Sequence, residues 1–204
     1  MSAPIDVAVI DSGGANLASL QFAMERLGAR VHVSRDPAAI AAAPPVLLPG
    51  VGAAADAMRR LRESGLDRVI PTLSCPLLGI CLGMQLLFEH SAEGDTECLG
   101  VLPGRVERLV ATPGLPVPHM GWNTLQLSAG AVDPLLADLP SPAYGYFVHS
   151  YAAGVGAQTL ASVDYGRPLA AAVRRGNFYG VQFHPERSAT MGAQVLRNFL
   201  SLQG

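Results

Sequence analysis

Short apolar runs that stop at glycine-containing turns are the feature of this sequence that most constrains its fold. Such runs occupy residues 5–10, which include only one polar residue, 46–48 and 77–80, and nearly continuous apolar runs are typical of strands buried on both faces of a parallel sheet. Helical periodicity follows them, for example at Leu17, Leu20, Met24 and Leu27. We expect further helices at about residues 53–63 and 82–89. Strands that alternate with helices predict an α/β fold, with a mostly parallel central sheet and helices on both faces.

The middle of the chain has a different pattern. Short apolar stretches at residues 106–110, 124–127 and 145–151 lie between prolines and glycines, as is typical of antiparallel strands. We expect these strands to be added to the central sheet, with further strands at residues 160–163, 170–174 and 178–183. A final helix is expected from Ser188. Because we find no repeat, linker or composition shift, we expect residues 1–204 to form a single domain.

Charge and cysteine content argue against several classes of function. The 14 basic and 16 acidic residues give a net charge of −2, which offers no electrostatic attraction for nucleic acid or an anionic membrane. No apolar stretch reaches the roughly 20 residues of a membrane span, and no secretory signal begins the sequence. The three cysteines are too sparse for a disulfide scaffold, and no Cys and His pairs have zinc-ligand spacing. We therefore expect a cytoplasmic protein that binds no metal and no other cofactor.

A cysteine follows the apolar run 77–80 in the pattern Gly-Ile-Cys-Leu-Gly, residues 79–83. This is the cysteine version of the nucleophile elbow, a tight turn from strand to helix whose strained backbone requires small neighbours. The N-terminus of the following helix favours the thiolate of Cys81, and the N–H of Leu82 can stabilise an oxyanion. The alternative is a buried structural cysteine. The strand-turn-helix context favours a nucleophile.

A base for this nucleophile is predicted at His184, in the segment Phe-His-Pro-Glu. Pro185 favours an extended conformation at His184, and residues two apart in an extended segment point the same way. Glu186 can therefore orient the imidazole ring, and both residues follow a strand whose carboxyl end shares its edge with Cys81. Alone, the segment would be read as a turn at a strand end. Together with the elbow it predicts a Cys-His-Glu triad.

The turn Pro-Gly-Val-Gly at residues 49–52 follows the third strand. A loop from a neighbouring strand supplies the second oxyanion N–H in hydrolase-like sheets, so Val51 or Gly52 is a candidate donor. An ordinary strand-to-helix turn explains the segment equally well.

These pieces together resemble the class I, or triad-type, glutamine amidotransferases, above all in residues 79–85 and 180–186. More narrowly, residues 48–52, 118–123, 146–151 and 180–188 resemble the glutaminase subunits of imidazole glycerol phosphate synthases. The resemblance runs from residue 11 to residue 200. It implies a flavodoxin-like α/β domain that hydrolyses glutamine to glutamate and ammonia through a cysteine thioester. It also implies a heterodimer with a cyclase subunit built as a (β/α)8 barrel, which would receive the ammonia in histidine biosynthesis.

The resemblance further implies roles for individual residues. Cys81 would attack the carboxamide, His184 would protonate the leaving ammonia, and Glu186 would orient His184. The expected substrate-binding residues are Gly50, Gly52, Leu82, Gln85, Ser150 and Tyr151. The expected partner contacts are Asn16, Met120, Trp122, Asn123, Tyr146 and Arg187. For His119 and His149 we expect structural hydrogen bonding near the interface and the pocket.

Three other functions stay open at this point. The chain could serve another ammonia-channelling synthase, although the segment His-Met-Gly-Trp-Asn at residues 119–123 argues against it. It could be a regulatory subunit without activity, although the intact Cys81, His184 and Glu186 argue against that. It could also be a free-standing cysteine amidohydrolase or peptidase, which would act without a partner.

Overall fold

The computed structural model describes residues 5–13, 17–43, 45–129 and 133–202. Strands alternate with helices up to residue 86, and strands then follow one another until the final helix. The helices are α1 (Leu17–Arg26), α2 (Pro37–Ala41), α3 (Ala54–Ser64), α4 (Leu66–Val69), α5 (Leu82–Leu86) and α6 (Ala189–Ser201). The strands are β1 (Asp6–Ile10), β2 (Arg30–Ser34), β3 (Val46–Gly50), β4 (Leu77–Cys81), β5 (Phe88–Ser91), β6 (Thr96–Glu97), β7 (Leu102–Arg108), β8 (His119–Thr124), β9 (Gln126–Leu127), β10 (Tyr144–His149), β11 (Tyr151–Ala153), β12 (Thr159–Asp164), β13 (Pro168–Arg175) and β14 (Phe178–Val181). Short 3-10 turns occupy Ile70–Thr72, Pro134–Leu136 and Pro185–Arg187.

The central sheet has the strand order β2-β1-β3-β4-β14-β13-β12-β9. The five strands from β2 to β14 run parallel, whereas β13, β12 and β9 are antiparallel to their neighbours. Hydrophobic cores lie on both faces, because successive side chains of a strand point to opposite sides. Val7 and Val9 of β1 pack into the core that includes Met24 of α1 and Val195 of α6, while Ala8 and Ile10 pack with α3. The predicted α/β fold, with a mostly parallel sheet and helices on both faces, is confirmed.

The expectation that the middle strands extend the central sheet is wrong for most of them. β8 and β10 form a separate two-stranded antiparallel ribbon, and β11, β7, β5 and β6 form a second sheet. Of the added strands, β9, β12 and β13 join the central sheet. A strand pattern of this kind identifies extended backbone but not its hydrogen-bonded neighbour, which tertiary packing decides.

The helix expected at residues 82–89 ends at Leu86, which corrects its predicted length. From Phe88 the backbone is extended and pairs with β7, with Phe88 opposite Leu102. The run Met-Gln-Leu-Leu-Phe, residues 84–88, is apolar enough to form either a helix or a strand. Its last residue is in a strand because it pairs with β7. Among the helices of the described residues, none is both long enough and apolar enough to cross a membrane.

Candidate active site

Cys81 is the last residue of β4 and precedes the first turn of α5, at the carboxyl edge of the parallel strands. Its backbone has φ 54° and ψ −111°. Residues other than glycine rarely adopt this conformation, which costs free energy. The flanking glycines explain how the turn packs. A Cβ on Gly79 would lie 2.7 Å from the carbonyl oxygen of Gly83, and a Cβ on Gly83 would overlap the carbonyl oxygen of Leu48. The strained strand-to-helix elbow that the pattern predicts is therefore present.

His184 lies three residues beyond β14, which is the parallel neighbour of β4. The 3-10 turn Pro185–Arg187 brings Glu186 back against the ring, and His184 Nδ1 is 2.9 Å from Glu186 Oε1. Both side chains are almost fully buried. Because Nδ1 is engaged by the carboxylate, Nε2 is the ring nitrogen that remains for Cys81. This is the geometry of a base whose orientation is fixed by a carboxylate.

The charge state of His184 follows from its neighbours. Burial lowers its pKa, but hydrogen bonds to Cys81 and Glu186 and the charges of both groups raise the pKa more strongly, to about 10. The ring is thus an imidazolium near neutral pH when it lies between a thiolate and a carboxylate. Such a pair combines an activated sulfur nucleophile with a proton donor for a leaving group.

One cavity of about 450 Å³ joins these groups. Cys81 and His184 both line it. Its volume falls in the range of small-ligand sites, on the order of 300–1,000 Å³. The residues expected to bind the substrate all line the same cavity, namely Gly50, Gly52, Leu82, Gln85, Ser150 and Tyr151.

The candidate oxyanion loop begins level with the nucleophile. Gly50 is paired with Cys81 in the parallel register of β3 and β4, and Val51 and Gly52 follow it along the cavity wall. A Cβ on Gly50 would lie 2.7 Å from the backbone nitrogen of Gly83, so this position has no room for a side chain. Gly52 has φ +88° and open space around it. Glycine adopts this positive φ at no steric cost and restricts the backbone of the loop less than any other residue would.

Gln85 and Gln182 form a buried pair of amides beside the cavity. Gln85 Nε2 donates to the carbonyl oxygen of Tyr151 at 2.8 Å and to Gln182 Oε1 at 2.9 Å. The two protons of the Gln85 amide are thereby committed, which leaves its carbonyl oxygen to accept from a ligand. Sequence reasoning quoted Gln182 as part of a motif but gave it no role. Its position directly after a strand of four buried residues is the signal that could have identified it.

Glu93 also lines the cavity and was not predicted. Its Oε2 accepts a hydrogen bond of 2.8 Å from the backbone nitrogen of Ala54, at the N-terminus of α3. The carboxylate is suited to an ammonium group. A glutamate in a loop between β5 and β6 carries no sequence signal for this position, because such loops are usually polar and solvated.

His119 and His149 lie in a chain of hydrogen bonds next to the cavity. His119 Nδ1 is 3.1 Å from His149 Nε2, and His149 Nδ1 is 2.8 Å from the carbonyl oxygen of Tyr151. Burial lowers the pKa of each ring to about 4, so both rings are neutral near pH 7. The carbonyl oxygen of Tyr151 can only accept, so His149 Nδ1 carries a proton and Nε2 accepts from His119. This arrangement matches the structural hydrogen bonding that we expected for the two residues.

The β8–β10 ribbon carries most of the expected partner contacts. Met120 and Trp122 are 63% and 55% exposed, and the Trp122 ring meets that of Tyr146 edge-on at 5.8 Å. Arg187 Cζ lies 4.7 Å above the Tyr146 ring, a cation–π contact. The side chain of Asn123, unlike those of Met120 and Trp122, is engaged within the chain, because it donates to the carbonyl oxygen of Asp164 at 2.9 Å. Asn16 lies outside the described residues.

Comparisons with known proteins agree with this geometry. The family model described as "Glutamine amidotransferase class-I" matches residues 8–202. The chain is 56% identical over 197 residues to "Imidazole glycerol phosphate synthase subunit HisH" of Xanthomonas euvesicatoria pv. vesicatoria (strain 85-10), which covers 97% of this chain and 98% of that protein. The protein of the same name from Xylella fastidiosa (strain Temecula1 / ATCC 700964) is 52% identical with the same coverage.

Solved structures share the fold. A crystal structure of a glutamine amidotransferase superimposes with a TM-score of 0.73 at 23% identity, over 96% of this chain and 97% of that chain. The structure of PurLQS from Thermotoga maritima gives a TM-score of 0.70 at 17% identity, over 98% of this chain and 99% of that chain. At such identities the likeness concerns the fold alone, whereas the family match and the relatives concern the sequence. The chain therefore belongs to the class I glutamine amidotransferase family.

Proposed function

We propose that this chain is the glutaminase subunit of an imidazole glycerol phosphate synthase, with residues 1–204 forming its amidotransferase domain. The observation that carries the proposal is the cavity in which Cys81 and the Glu186-oriented His184 face a space large enough for an amino acid. Identity of 52–56% to proteins named as that subunit, over nearly their full length, supports the choice of synthase.

The first half of the reaction forms a thioester. The Cys81 thiolate attacks the carboxamide carbon of glutamine, and the carbonyl oxygen becomes an oxyanion that accepts from the N–H of Leu82 and from the loop at Val51 and Gly52. His184 then gives its proton to the amide nitrogen as the C–N bond breaks. Ammonia leaves, and a glutamyl thioester remains on Cys81.

The second half restores the enzyme. Neutral His184 takes a proton from a water molecule, which attacks the thioester carbon and forms a second tetrahedral intermediate. When this collapses, the C–S bond breaks and glutamate is released. His184, now protonated, and the released thiolate of Cys81 form the starting ion pair again. Glu186 keeps Nδ1 of the ring protonated throughout, so Nε2 performs both transfers.

The amino-acid end of glutamine is assigned by charge and hydrogen-bonding capacity. Its ammonium group would contact the Glu93 carboxylate and the free carbonyl oxygen of Gln85, both of which are acceptors. Its carboxylate would accept from the backbone around Ser150 and Tyr151. Gly50 would present its backbone to the substrate chain, and its lack of a side chain allows α5 to approach β3 closely.

The ammonia would pass to a cyclase subunit with a (β/α)8 barrel in a heterodimer. Met120 and Trp122 expose apolar surface beside Tyr146 and Arg187, and aromatic and arginine side chains are enriched at energetically important interface positions. Asn123 of β8 belongs to the same proposed surface, and Asn16, which lies outside the described residues, stays an expected contact from the resemblance. Because Arg187 also lines the cavity, this surface adjoins the site where ammonia is released.

The test is glutamate release from glutamine by the chain alone, by the chain with a cyclase subunit, and by the pair with the cyclase's nucleotide ligand. We expect hydrolysis in the assembled, ligand-bound pair. In that pair Cys81→Ala should abolish hydrolysis and leave cyclase turnover with added ammonia intact. Free hydrolysis by the chain alone, with no response to the partner, would favour a free-standing amidohydrolase. Loss of both activities in a correctly folded Cys81→Ala pair would refute the delivery of ammonia from Cys81.

A further inference from the structure

Gln182 connects the substrate-side amide of Gln85 with the sulfur of Cys81. Its side chain is fully buried, at 0% exposure, immediately after β14. Gln182 Oε1 accepts from Gln85 Nε2 at 2.9 Å, and Gln182 Nε2 lies 3.8 Å from Cys81 Sγ. The longer second distance suits a hydrogen bond to sulfur, whose atomic radius exceeds that of oxygen. Both ends of this buried amide are thus engaged by residues of the candidate site.

The direction of the Gln182 amide is fixed by its neighbours. Gln85 Nε2 also donates to the carbonyl oxygen of Tyr151 at 2.8 Å, so its two protons point at Tyr151 and at Gln182. The atom of Gln182 that faces Gln85 must therefore be the acceptor oxygen. It follows that the NH₂ group of Gln182 faces Cys81 and offers the sulfur a proton rather than a lone pair.

We propose that Gln182 is a positioning residue for glutamine hydrolysis, whose amide N–H stabilises the Cys81 thiolate and ties the orientation of the sulfur to that of Gln85. A hydrogen bond to a buried charged acceptor is stronger than one between neutral groups. The proposal rests on the proposed function of the site, because it assigns Gln182 a part in that reaction. It adds an uncharged donor to a nucleophile whose proposed activation comes from the His184 imidazolium.

Charged and titratable groups from several elements lie in or next to the cavity that Cys81 lines. His184 and Glu186 come from the turn after β14, and His149 comes from β10. Glu93 from the β5–β6 loop, Tyr151 of β11 and Arg187 also line the cavity. The amide of Gln182 does not ionise, so its removal leaves each of these groups in place. A change in the pH dependence of Cys81 reactivity then reports the lost N–H.

The experiment measures the rate at which iodoacetamide alkylates Cys81 in the full chain as a function of pH, with the modified peptide quantified by mass spectrometry. The variants are Gln182→Leu, Gln85→Leu and the double variant. Burial raises the pKa of the Cys75 and Cys98 thiols, that of Cys98 to about 11, so these thiols react slowly near neutral pH. Asn177→Leu is the matched control, because it removes amide hydrogen bonds to the carbonyl oxygens of Leu73 and Cys75 at the other end of β14.

We expect Gln182→Leu to move the midpoint of the rate–pH curve upward by about one pH unit, and to lower kcat for glutamine in the active pair by about tenfold. Gln85→Leu should move the midpoint in the same direction although it does not touch the sulfur. The double variant should move it no further than Gln182→Leu alone. Asn177→Leu should leave the midpoint unchanged.

An unchanged midpoint in Gln182→Leu, with a wild-type pair that hydrolyses glutamine, would overturn the role of Gln182 and leave the proposed function standing. A shifted midpoint with a wild-type pair that never hydrolyses glutamine would refute the function and keep the contact with sulfur. If Gln182→Leu does not fold, Gln182→Asn serves instead. Its shorter side chain keeps a buried amide but withdraws the N–H from Cys81, and the same upward shift is expected.

Discussion

Gly83 of helix α5 lies so close to the carbonyl oxygen of Leu48 in β3 that a Cβ on the glycine would overlap that oxygen. The clash is with backbone, which cannot rotate away as a side chain can. We therefore expect Gly83→Ala to lower the free energy of unfolding by about 3 kcal/mol or more, as overpacking of a rigid site does. Urea denaturation of the purified variant measures this.

The control for this prediction is Gly100→Ala. Gly100 has φ +65° and open space around it, so alanine there adds backbone strain of about 1–2 kcal/mol but no overlap. If the two variants lose equal stability, the close approach of α5 to β3 is not what the glycine at position 83 provides.

Replacing the carboxylate beside His184 should change both the rate and its pH dependence. Glu186→Gln removes the charge and hydrogen bond that help raise the pKa of His184 to about 10, so that pKa falls. We expect kcat for glutamine hydrolysis to drop at least about 10²-fold, because the ring loses its fixed tautomer. The alkaline limb of the kcat–pH profile should move to lower pH, since imidazolium is lost earlier. Steady-state glutamate release between pH 6 and pH 10 measures both.

Glu63→Gln is the matched control for that substitution, since Glu63 pairs with Arg59 on the exposed surface of α3. It should leave kcat and its pH profile as in the wild type. A Glu186→Gln enzyme with wild-type kcat would mean that His184 needs no carboxylate to be oriented.

Trp122 should contribute binding free energy at the proposed partner surface. The ring is 55% exposed and contacts Tyr146, which in turn lies under Arg187. We expect Trp122→Ala to weaken binding of the cyclase subunit by about 2 kcal/mol or more, as at other aromatic anchors. Titration calorimetry of the pair measures the change in Kd, and the stability of the free chain should fall little.

The comparison for Trp122 is Phe22→Ala on α1, an aromatic side chain that is 60% exposed. It should leave partner affinity unchanged. Equal losses of affinity in the two variants would contradict a surface centred on the β8–β10 ribbon.

Acid should destabilise the chain through the two buried histidines. Burial lowers the pKa of His119 and His149 from 6.5 to about 4. Between these pH values the unfolded chain binds protons that the folded chain does not, so the free energy of unfolding falls as the pH falls from about 6.5 to about 4. The loss amounts to at most roughly 3 kcal/mol for each ring.

Chemical denaturation at several pH values tests this with His119→Phe, which keeps a ring between Phe147 and Tyr165 but cannot titrate. Its free energy of unfolding should depend less steeply on pH in that window. His32→Gln, on the exposed surface of β2, should keep the wild-type slope. An unchanged slope in His119→Phe would show that the buried ring is already protonated in the folded chain.

Local patterns in the sequence were sufficient for the parallel part of the fold. The runs that became β1, β3 and β4 are mostly apolar, with Asp6 at the start of β1, and Gly79 and Gly83 around Cys81 favour a tight turn. The pairing of the middle strands was not predictable, because alternation defines a strand and not its neighbour. Phe88 shows the same limit, since its apolar segment fits a helix as well as the strand that pairs with Leu102.

Some residues of the candidate site could be predicted from the sequence, and others could not. His184 and Glu186 were paired correctly, but the physical reason differs from the expected one: the 3-10 turn Pro185–Arg187, and not an extended segment, brings the carboxylate to the ring. Glu93 reaches the cavity from a polar loop, and only the packing of that loop against the start of α3 brings it there. Gln182 falls in the strand expected at residues 178–183, but its contact with Cys81 joins two residues that are 101 positions apart, which local patterns do not pair.

The two faces of the β8–β10 ribbon have a consequence for protein engineering. Paired residues of the ribbon share a face, so His119 with His149 points inward, whereas Trp122 with Tyr146 points outward. Substitutions at outward positions can be screened as a library while the inward hydrogen bonds next to the cavity stay intact. A one-residue insertion in either strand would exchange the faces and disrupt both at once. A designer who wishes to change which partner binds the proposed contact surface should therefore vary the outward side chains of this ribbon and keep its length fixed.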